Sequence, residues 1–216
     1  MDNFEEFSLV GKDLYMLGLV DSGSGSLSVR IGNKMYVTKK KAMLGHLRQE
    51  DIAEIPLDVE GEKDEFAVHR AIYRETNFNA IIHAQPPYGI ALSITMENKI
   101  MPADMKGQTV LRSVPVVRAK ANSDELIKFL PPVYKSGYMI SLVKEYGSFA
   151  VGANLLEALQ YTTCLEGSCK ILAVNKSLAV PVEKQRRPEH HERRTAIPPS
   201  IGVMGRQRGG SRGFGR

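Results

Sequence analysis

An α/β fold is predicted by three features of the chain. Amphipathic helical periodicity alternates with short β-branched apolar runs, polar or Gly/Pro-rich turns separate them, and a long periodic stretch closes the ordered part near Leu172. Of 216 residues, 43% are hydrophobic, enough for a sizeable core in one domain. No run approaches the ~18 apolar residues that mark a membrane-crossing helix. The acidic opening MDNFEEFSLV lacks the basic start of a secretory signal. Cys164 and Cys169 lie five apart in a helical pattern, a spacing that suits neither a metal pair nor a disulfide on one helix. They read as reduced thiols in or near the core of a cytoplasmic protein.

The formal net charge of +5 is unevenly placed. Residues 176–216 carry ten Lys/Arg against three Asp/Glu, which leaves nineteen against twenty-one for the rest. Basicity therefore belongs to a tail, 176–216, that follows a domain spanning 1–175. Periodicity stops from Ser177. Glu189 to Arg194, EHHERR, is short and charged and reads as solvated chain before it reads as a metal tract. Gly205 to Arg216, GRQRGGSRGFGR, cannot bury a core and is expected to be disordered. Its Arg206, Arg208, Arg212 and Arg216, interleaved with glycines and Phe214, form the pattern of an RNA-contacting tail, with arginines for phosphates and for stacking on bases. A solubilising tail, or one that binds another acidic surface, fits the same composition.

Taken in order, Phe4 to Val20 reads as an amphipathic helix with Leu9, Val10, Leu14 and Leu17 as its core stripe, closed by Gly18, Leu19 and Val20. Asp21 to Ser26, DSGSGS, is either a tight turn needing glycine at positive φ or an anion cradle of successive backbone N–H groups, with Gly25 and Ser26 its candidate residues. Ser28–Ile31 and Lys34–Thr38 form a hairpin around Gly32-Asn33. Lys39, Lys40 and Lys41 read as a solvated basic loop, with Lys40 and Lys41 the candidate anion contacts. His46 reads as a lone surface histidine, and Ile52–Ile55 as a short strand.

The densest chemistry lies in Asp64 to Ser93. Asp64 is placed to cap a helix on which Glu65, Val68, His69 and Ile72 share a face, and a Glu65–His69 hydrogen bond is its bland reading. Ala80, Ile81 and Ile82 read as a buried strand ending in His83-Ala84-Gln85. Strand alternation points His83 and Gln85 to one side and Ala84 to the other. Pro86-Pro87 closes the strand, and Tyr88–Met96 is a second helix. Ile100–Pro102 and Thr109–Arg118 read as strands. Ser123 caps a helix that Pro131-Pro132 should stop at Leu130. Tyr138–Val143 and Ser148–Val151 are strands around a Glu145-Tyr146-Gly147 turn. Asn154 to Glu157 is a capping box opening a helix to about Leu172.

Glu65-x-x-x-His69 on a helix, a polar turn, an apolar strand and then His83-x-Gln85 followed by Pro and Tyr resemble the class II aldolase/adducin family, and the resemblance covers residues 3–173. It implies three layers, a central mixed or antiparallel sheet flanked by helices, and a homotetramer with its site at a subunit interface. In catalytic members the strand ends in His-x-His. Those histidines and a third, before a glycine, bind a divalent metal, usually zinc, and the helix glutamate is the acid/base. The resemblance thus makes Glu65 the acid/base candidate and puts His83, Gln85 and Tyr146 at the metal positions. Gly25-Ser26-Leu27-Ser28-Val29-Arg30 matches the family's Gly-Asn-(Ile/Leu)-Ser-x-Arg except at Ser26. Lys39 to Lys41 stand where sugar-phosphate-binding relatives have Ser/Thr-Gly. Lys63-Asp64 replaces a Ser-Ser pair, and the Asp64 charge opposes a phosphate bound in the usual way.

Three imidazoles would leave a zinc position open for substrate, and this chain offers one, His83. Gln85 supplies a neutral amide, and the Tyr146 phenol would have to ionise from a pKa near ~10. The expectation is a non-catalytic aldolase-like module without a cofactor, used for assembly or partner binding, with a tail for RNA or another polyanion. Adducin, in the same family, gives a parallel: its head domain lacks the metal ligands and it ends in a basic tail. The alternative is a lyase or epimerase of altered site acting on a small, sugar-derived hydroxy-carbonyl substrate. Glu65, His83 and Gln85 would then hold a weaker zinc or other divalent metal, or Tyr146 would serve as an acid.

Overall fold

The structure, a computed structural model, describes residues 3–58, 66–121 and 123–179. Eight strands form the sheet within them: β1 (Ser26–Ile31), β2 (Lys34–Thr38), β3 (Ile52–Pro56), β4 (Ala80–Ala84), β5 (Lys99–Ile100), β6 (Val114–Val117), β7 (Ile140–Val143) and β8 (Gly147–Gly152). The helices are α1 (Asn3–Met16), α2 (Ala67–Glu75), α3 (Pro87–Thr95), α4 (Met105–Val110), α5 (Asp124–Lys135) and α6 (Leu155–Ala179). Strand order is β3-β2-β1-β4-β8-β7-β6-β5. Neighbours are antiparallel except β6 and β7, so the sheet is mixed.

β4 explains the layering. Its sequence AIIHA is buried at every position, and it pairs with β1 on one edge and β8 on the other. A strand covered on both faces needs a continuous apolar run rather than an alternation. Ile81 enters the core that α2 and α5 form with Met35, Val37, Phe149 and Val151. Ile82, one residue on, enters the opposite core with Phe7, Val10 and Leu14 of α1, Leu92 of α3 and Leu155 and Leu165 of α6. Three layers result, as the resemblance implies. The register sets Ser26 opposite His83 and Ser28 opposite Ile81, and His83 opposite Phe149.

Several element boundaries differ from the sequence expectation. α1 stops at Met16 in a Schellman motif: Leu19 N–H donates to Leu14 O at 2.9 Å and Gly18 N–H to Tyr15 O at 3.1 Å, with Gly18 at φ +67°. Its buried stripe is Phe7, Val10 and Leu14, whereas Leu9 and Leu17 are exposed. The range Thr109–Arg118 is not one strand. Asp104 Oδ2 accepts from Gly107 N–H at 2.8 Å and caps the short helix α4, and only Val114–Val117 pairs in the sheet. The sequence signal for α4 was Asp104 three residues before Gly107, outweighed by the β-branched residues after it.

Pro131 and Pro132 do not stop α5, which runs to Lys135. Each proline removes one intrahelical N–H, but Leu126, Leu130 and Tyr134 are buried in the core shared with α2. The Tyr134 hydroxyl donates to Phe149 O at 3.0 Å and meets Ser141 Oγ at 2.9 Å. Tertiary anchoring holds the last turn. α6 also runs past Leu172, to Ala179. Half of its predicted capping box forms: Glu157 N–H donates to Asn154 Oδ1 at 2.8 Å, while Glu157 Oε2 accepts at 2.7 Å from Ala153 N–H, one residue before the N-cap. Cys164 and Cys169 are free and buried. The chain divides into units Met1–Val180 and Pro181–Arg216, and the tail candidates Arg206, Arg208, Arg212, Phe214 and Arg216 lie outside the described residues.

α3, which follows directly from β4, receives its cap from another helix. Pro86 at its N-cap provides no side-chain acceptor. The Glu166 carboxylate of α6 accepts from Tyr88 N–H and Gly89 N–H, each at 3.0 Å. A carboxylate at a helix N-terminus satisfies two orphan donors and opposes the helix dipole favourably. Glu166→Ala should therefore lower stability by about 1–2 kcal/mol in urea unfolding, and Glu166→Gln by less.

Candidate functional site

A cleft of about 220 Å³ opens where β1, β2 and β4 meet α2 and the turn before β8, and it gathers most of the residues singled out from the sequence. Gly25, Ser26, Lys40, Lys41, His83, Gln85 and Tyr146 all line it, together with His69 and Phe66. Glu65, the acid/base candidate, and Lys63 and Asp64 lie outside the described residues. The described part of the helix begins at Ala67, with Phe66 in the N-cap position.

His83 is the buried end of the cleft, 7% exposed. Its ring stacks on Phe149 (centroids 4.4 Å apart, planes 15° apart) and on Tyr146 (4.7 Å, 28°). The β4–β8 register supplies Phe149, and the turn before β8 supplies Tyr146. The His83 Nε2 atom has no hydrogen-bond partner among the described residues. Burial pulls its pKa down to about 4, so the imidazole is neutral at ordinary pH.

The second imidazole is His69, on α2. Its Nε2 lies 2.9 Å from Ser26 Oγ and its Nδ1 2.6 Å from Ser28 Oγ. Ser28 Oγ in turn lies 2.8 Å from Tyr73 OH. Ser26 and Ser28 are two apart on β1 and point to the same face, while His69 and Tyr73 are one helical turn apart on α2. Burial, with His83 nearby, lowers the His69 pKa to about 3. Both ring nitrogens thus lie within hydrogen-bond distance of serine hydroxyls; Glu65, expected to hydrogen-bond with His69, lies outside the described residues. The sequence reading placed His69 only on the helix face. The Ser26-x-Ser28 alternation was the available signal for its partners. Arg30, from the same motif, is structural: its Nη1 donates to Tyr73 O and Thr76 O, both at 2.9 Å, at the C-terminus of α2.

The loops favour a built turn over an open cradle. Asp21 Oδ1 accepts from Gly23 N–H at 3.1 Å and Ser24 Oγ from Asp21 N–H at 3.0 Å, so two of the loop's amides are satisfied within it. Gly25 sits at φ +80°, and a Cβ there would lie 2.6 Å from Val20 Cγ1 and 3.0 Å from His83 O. Glycine is required for this approach to β4. Lys39 Nζ donates to Glu50 O at 2.7 Å. Lys41 holds φ +65°, a left-handed conformation that costs a side-chain-bearing residue roughly 1–2 kcal/mol. Glycine would adopt that conformation without this cost. His46 is an exposed residue, as expected.

The donor set does not fit the family's three-imidazole zinc site. His83 Nε2 is available, but Gln85 offers a neutral amide. Burial raises the Tyr146 phenol above its usual range, away from the ionised form a metal would take. Among the described residues no group of three His, Cys, Asp or Glu side chains is placed to hold a metal ion.

Two buried neutral imidazoles also make stability depend on pH. Both folded-state pKa values, about 3 and about 4, lie below the ordinary 6.5. Between 6.5 and about 4 the unfolded chain binds protons that the folded chain refuses. The stabilisation is therefore complete above 6.5 and is lost as pH falls through that window. The expected slope from the pair approaches about 2.7 kcal/mol per pH unit. Urea midpoints compared at neutral and mildly acidic pH should show it, with about half the slope in His83→Gln.

Comparison with known proteins agrees with this architecture. Residues 5–173 match the model of the class II aldolase and adducin N-terminal domain. The chain is 29% identical over 177 residues to an L-fuculose phosphate aldolase of Methanocaldococcus jannaschii, covering 79% of this chain and 96% of that protein. The crystal structure of L-fuculose-1-phosphate aldolase from Thermus thermophilus is similar, with TM-score 0.75 and 33% identity over 81% of this chain and 94% of that one. A sugar-phosphate aldolase from Thermotoga maritima shares the fold, with TM-score 0.67 and 22% identity over 82% of this chain and 96% of that one. This chain is a member of the class II aldolase and adducin N-terminal domain family.

Proposed function

We propose that this protein keeps the class II aldolase fold and its cleft as a binding module, without zinc-dependent carbon–carbon cleavage. The observation that carries the reading is the composition of the metal positions: one buried imidazole nitrogen on His83, unpartnered among the described residues, an amide at Gln85 and a protonated phenol at Tyr146. A catalytic zinc needs three protein ligands and one open position, and stabilisation of a developing enediolate depends on that ion. The module acts through assembly, as a homo-oligomer, and through partners. The basic tail, with Arg206, Arg208, Arg212, Phe214 and Arg216, is the proposed contact for RNA or a similar polyanion, in the cytoplasm.

A second reading is a lyase of altered site acting on a sugar-derived hydroxy-carbonyl. Two observations favour it: the relatives named as L-fuculose phosphate aldolases, and the His83 Nε2 at the cleft, unpartnered among the described residues. Elemental analysis of untagged protein purified without chelator separates the two. The binding-module reading expects no stoichiometric metal even after zinc is added, and no turnover of L-fuculose 1-phosphate. About one metal per chain, lost in His83→Ala, would establish the lyase reading instead. For the tail, deletion of residues 188–216 should weaken RNA binding by about tenfold or more at low salt; unchanged affinity would remove the RNA contact.

A further inference from the structure

Ser26, His69, Ser28 and Tyr73 form one chain of side-chain hydrogen bonds running from the cleft into the core. Ser26 is half-buried and lines the cleft. The other three are buried, at 3%, 0% and 1% exposure. Every hydroxyl has one proton to give, and a neutral imidazole has one N–H. Only two continuous proton orders are therefore open to the chain. In the first, protons point outward: Tyr73 donates to Ser28, Ser28 to His69 Nδ1, and His69 Nε2–H to Ser26, whose own proton is left for the cleft. In the second they point inward: Ser26 donates to Nε2, Nδ1–H to Ser28, Ser28 to Tyr73, and Tyr73 to the backbone carbonyl of Asn79.

The distances along the chain and at its inner end decide between them. The inward order ends on Tyr73 OH to Asn79 O, a stretched 3.5 Å, and that carbonyl already accepts from Arg30 N–H at 2.7 Å. The outward order instead uses the Tyr73 proton on the 2.8 Å contact with Ser28. The Ser28–Nδ1 separation of 2.6 Å is too short for the usual N–H donor and suits a hydroxyl donor, while the 2.9 Å between Nε2 and Ser26 is the ordinary length of an N–H···O bond. Burial keeps the His69 ring neutral, so the single N–H of the argument holds through the physiological range.

We propose that His69 is a positioning residue that fixes the Ser26 hydroxyl as a hydrogen-bond donor into the cleft, so that this end of the cleft takes an oxygen without a proton, such as that of a carboxylate, a phosphate or a carbonyl. The lining agrees: Lys40 and Lys41 stand at the rim, and none of the described lining residues is acidic. The inference rests on the cleft being a ligand site, and it adds which chemical group that site accepts. Hydroxyl or ammonium groups are disfavoured at Ser26, since donor would face donor.

The test is the tautomer of His69 in the full-length protein, read from long-range ¹H–¹⁵N correlations, with the signal assigned by its loss in His69→Gln. The expected result is a proton on Nε2 and a bare Nδ1; a proton on Nδ1 would overturn the proposal. Tyr73→Phe removes the source of the chain without touching the cleft. It also removes the acceptor that the inward order needs for the Ser28 proton, so the Nε2 proton should persist there, and a shift of the proton to Nδ1 in that variant would also count against the proposal. Titration with glycolate and with inorganic phosphate, against ethylene glycol as the neutral control, then reads the selectivity. Either anion should bind more tightly than the diol, and Ser26→Ala should weaken it about tenfold, the share of one charge-assisted hydrogen bond. Which of the two binds distinguishes a carboxylate source from a phosphate source. If neither binds the wild type while the tautomer is as expected, the ligand-site reading of the cleft and the selectivity fall together, and the proton order stands.

Discussion

Pairing of β4 between β1 and β8 is the constraint on which the rest of the molecule depends. The strand has no exposed face or edge, so its register is set by burial on two sides and by backbone hydrogen bonds on two more. A shift of one residue would exchange Ile81 and Ile82 between the cores and turn His83 toward α1 and α6. Holding that register fixes His83 against Phe149 and opposite Ser26. The cleft is thus a by-product of sheet pairing, completed by a turn and one helix. Its position needs no interaction within the cleft itself.

Elements with strong local signals were legible in the sequence. The β1–β2 hairpin, the buried run of β4, the Ser123 cap and the capping box at Asn154 all combine periodicity with a definite terminus signal. The errors fall where tertiary contacts overrode local preference. Pro131 and Pro132 sit inside α5 because Tyr134 is anchored to Phe149 O and Ser141 on the far side of the turn. α4 is a helix despite Gly107 and β-branched Thr109 and Val110 because Asp104 caps it and it packs against α6. Of the cleft, the sequence identified the ligand-type residues and the family's departures from its pattern. It did not identify the His69 network, since hydrogen bonds between residues forty apart depend on the strand–helix geometry.

The departures at the metal positions and at Ser26 share a physical direction. Where the resemblance assigns imidazoles, an amide and a phenol stand; where it assigns an asparagine, a serine stands. Every one of these groups is neutral in its present surroundings. The two remaining imidazoles are themselves held neutral by burial. The described charges at the cleft are the lysines of the rim, and one of them, Lys41, occupies a left-handed backbone position that glycine would fill at lower cost. A low-polarity floor under a cationic rim leaves the lysines to balance a ligand's negative charge and strengthens any hydrogen bond made at the base.

The orientation of His83 follows from that neutrality. In a zinc site the ligand ring is held by the ion on one side and by a hydrogen bond on the other. Here Tyr146 and Phe149 both pack their rings against the imidazole, and aromatic pairs of this kind contribute roughly 0.5–1.5 kcal/mol each beyond their buried area. This packing is possible because Tyr146 presents its ring to the imidazole, and an uncharged imidazole is buried at modest cost. What remains unbalanced is Nε2, a polar atom without a partner among the described residues, worth roughly 1–3 kcal/mol of lost solvation. That cost is carried by the fold at one point, the base of the described cleft that opens beside His69 and Ser26. Nε2 is itself covered by protein, whereas the Ser26 hydroxyl lines the cleft. The order of the cleft thus rests on ring packing at His83 and on the hydrogen-bonded chain through His69, and neither of these needs a metal.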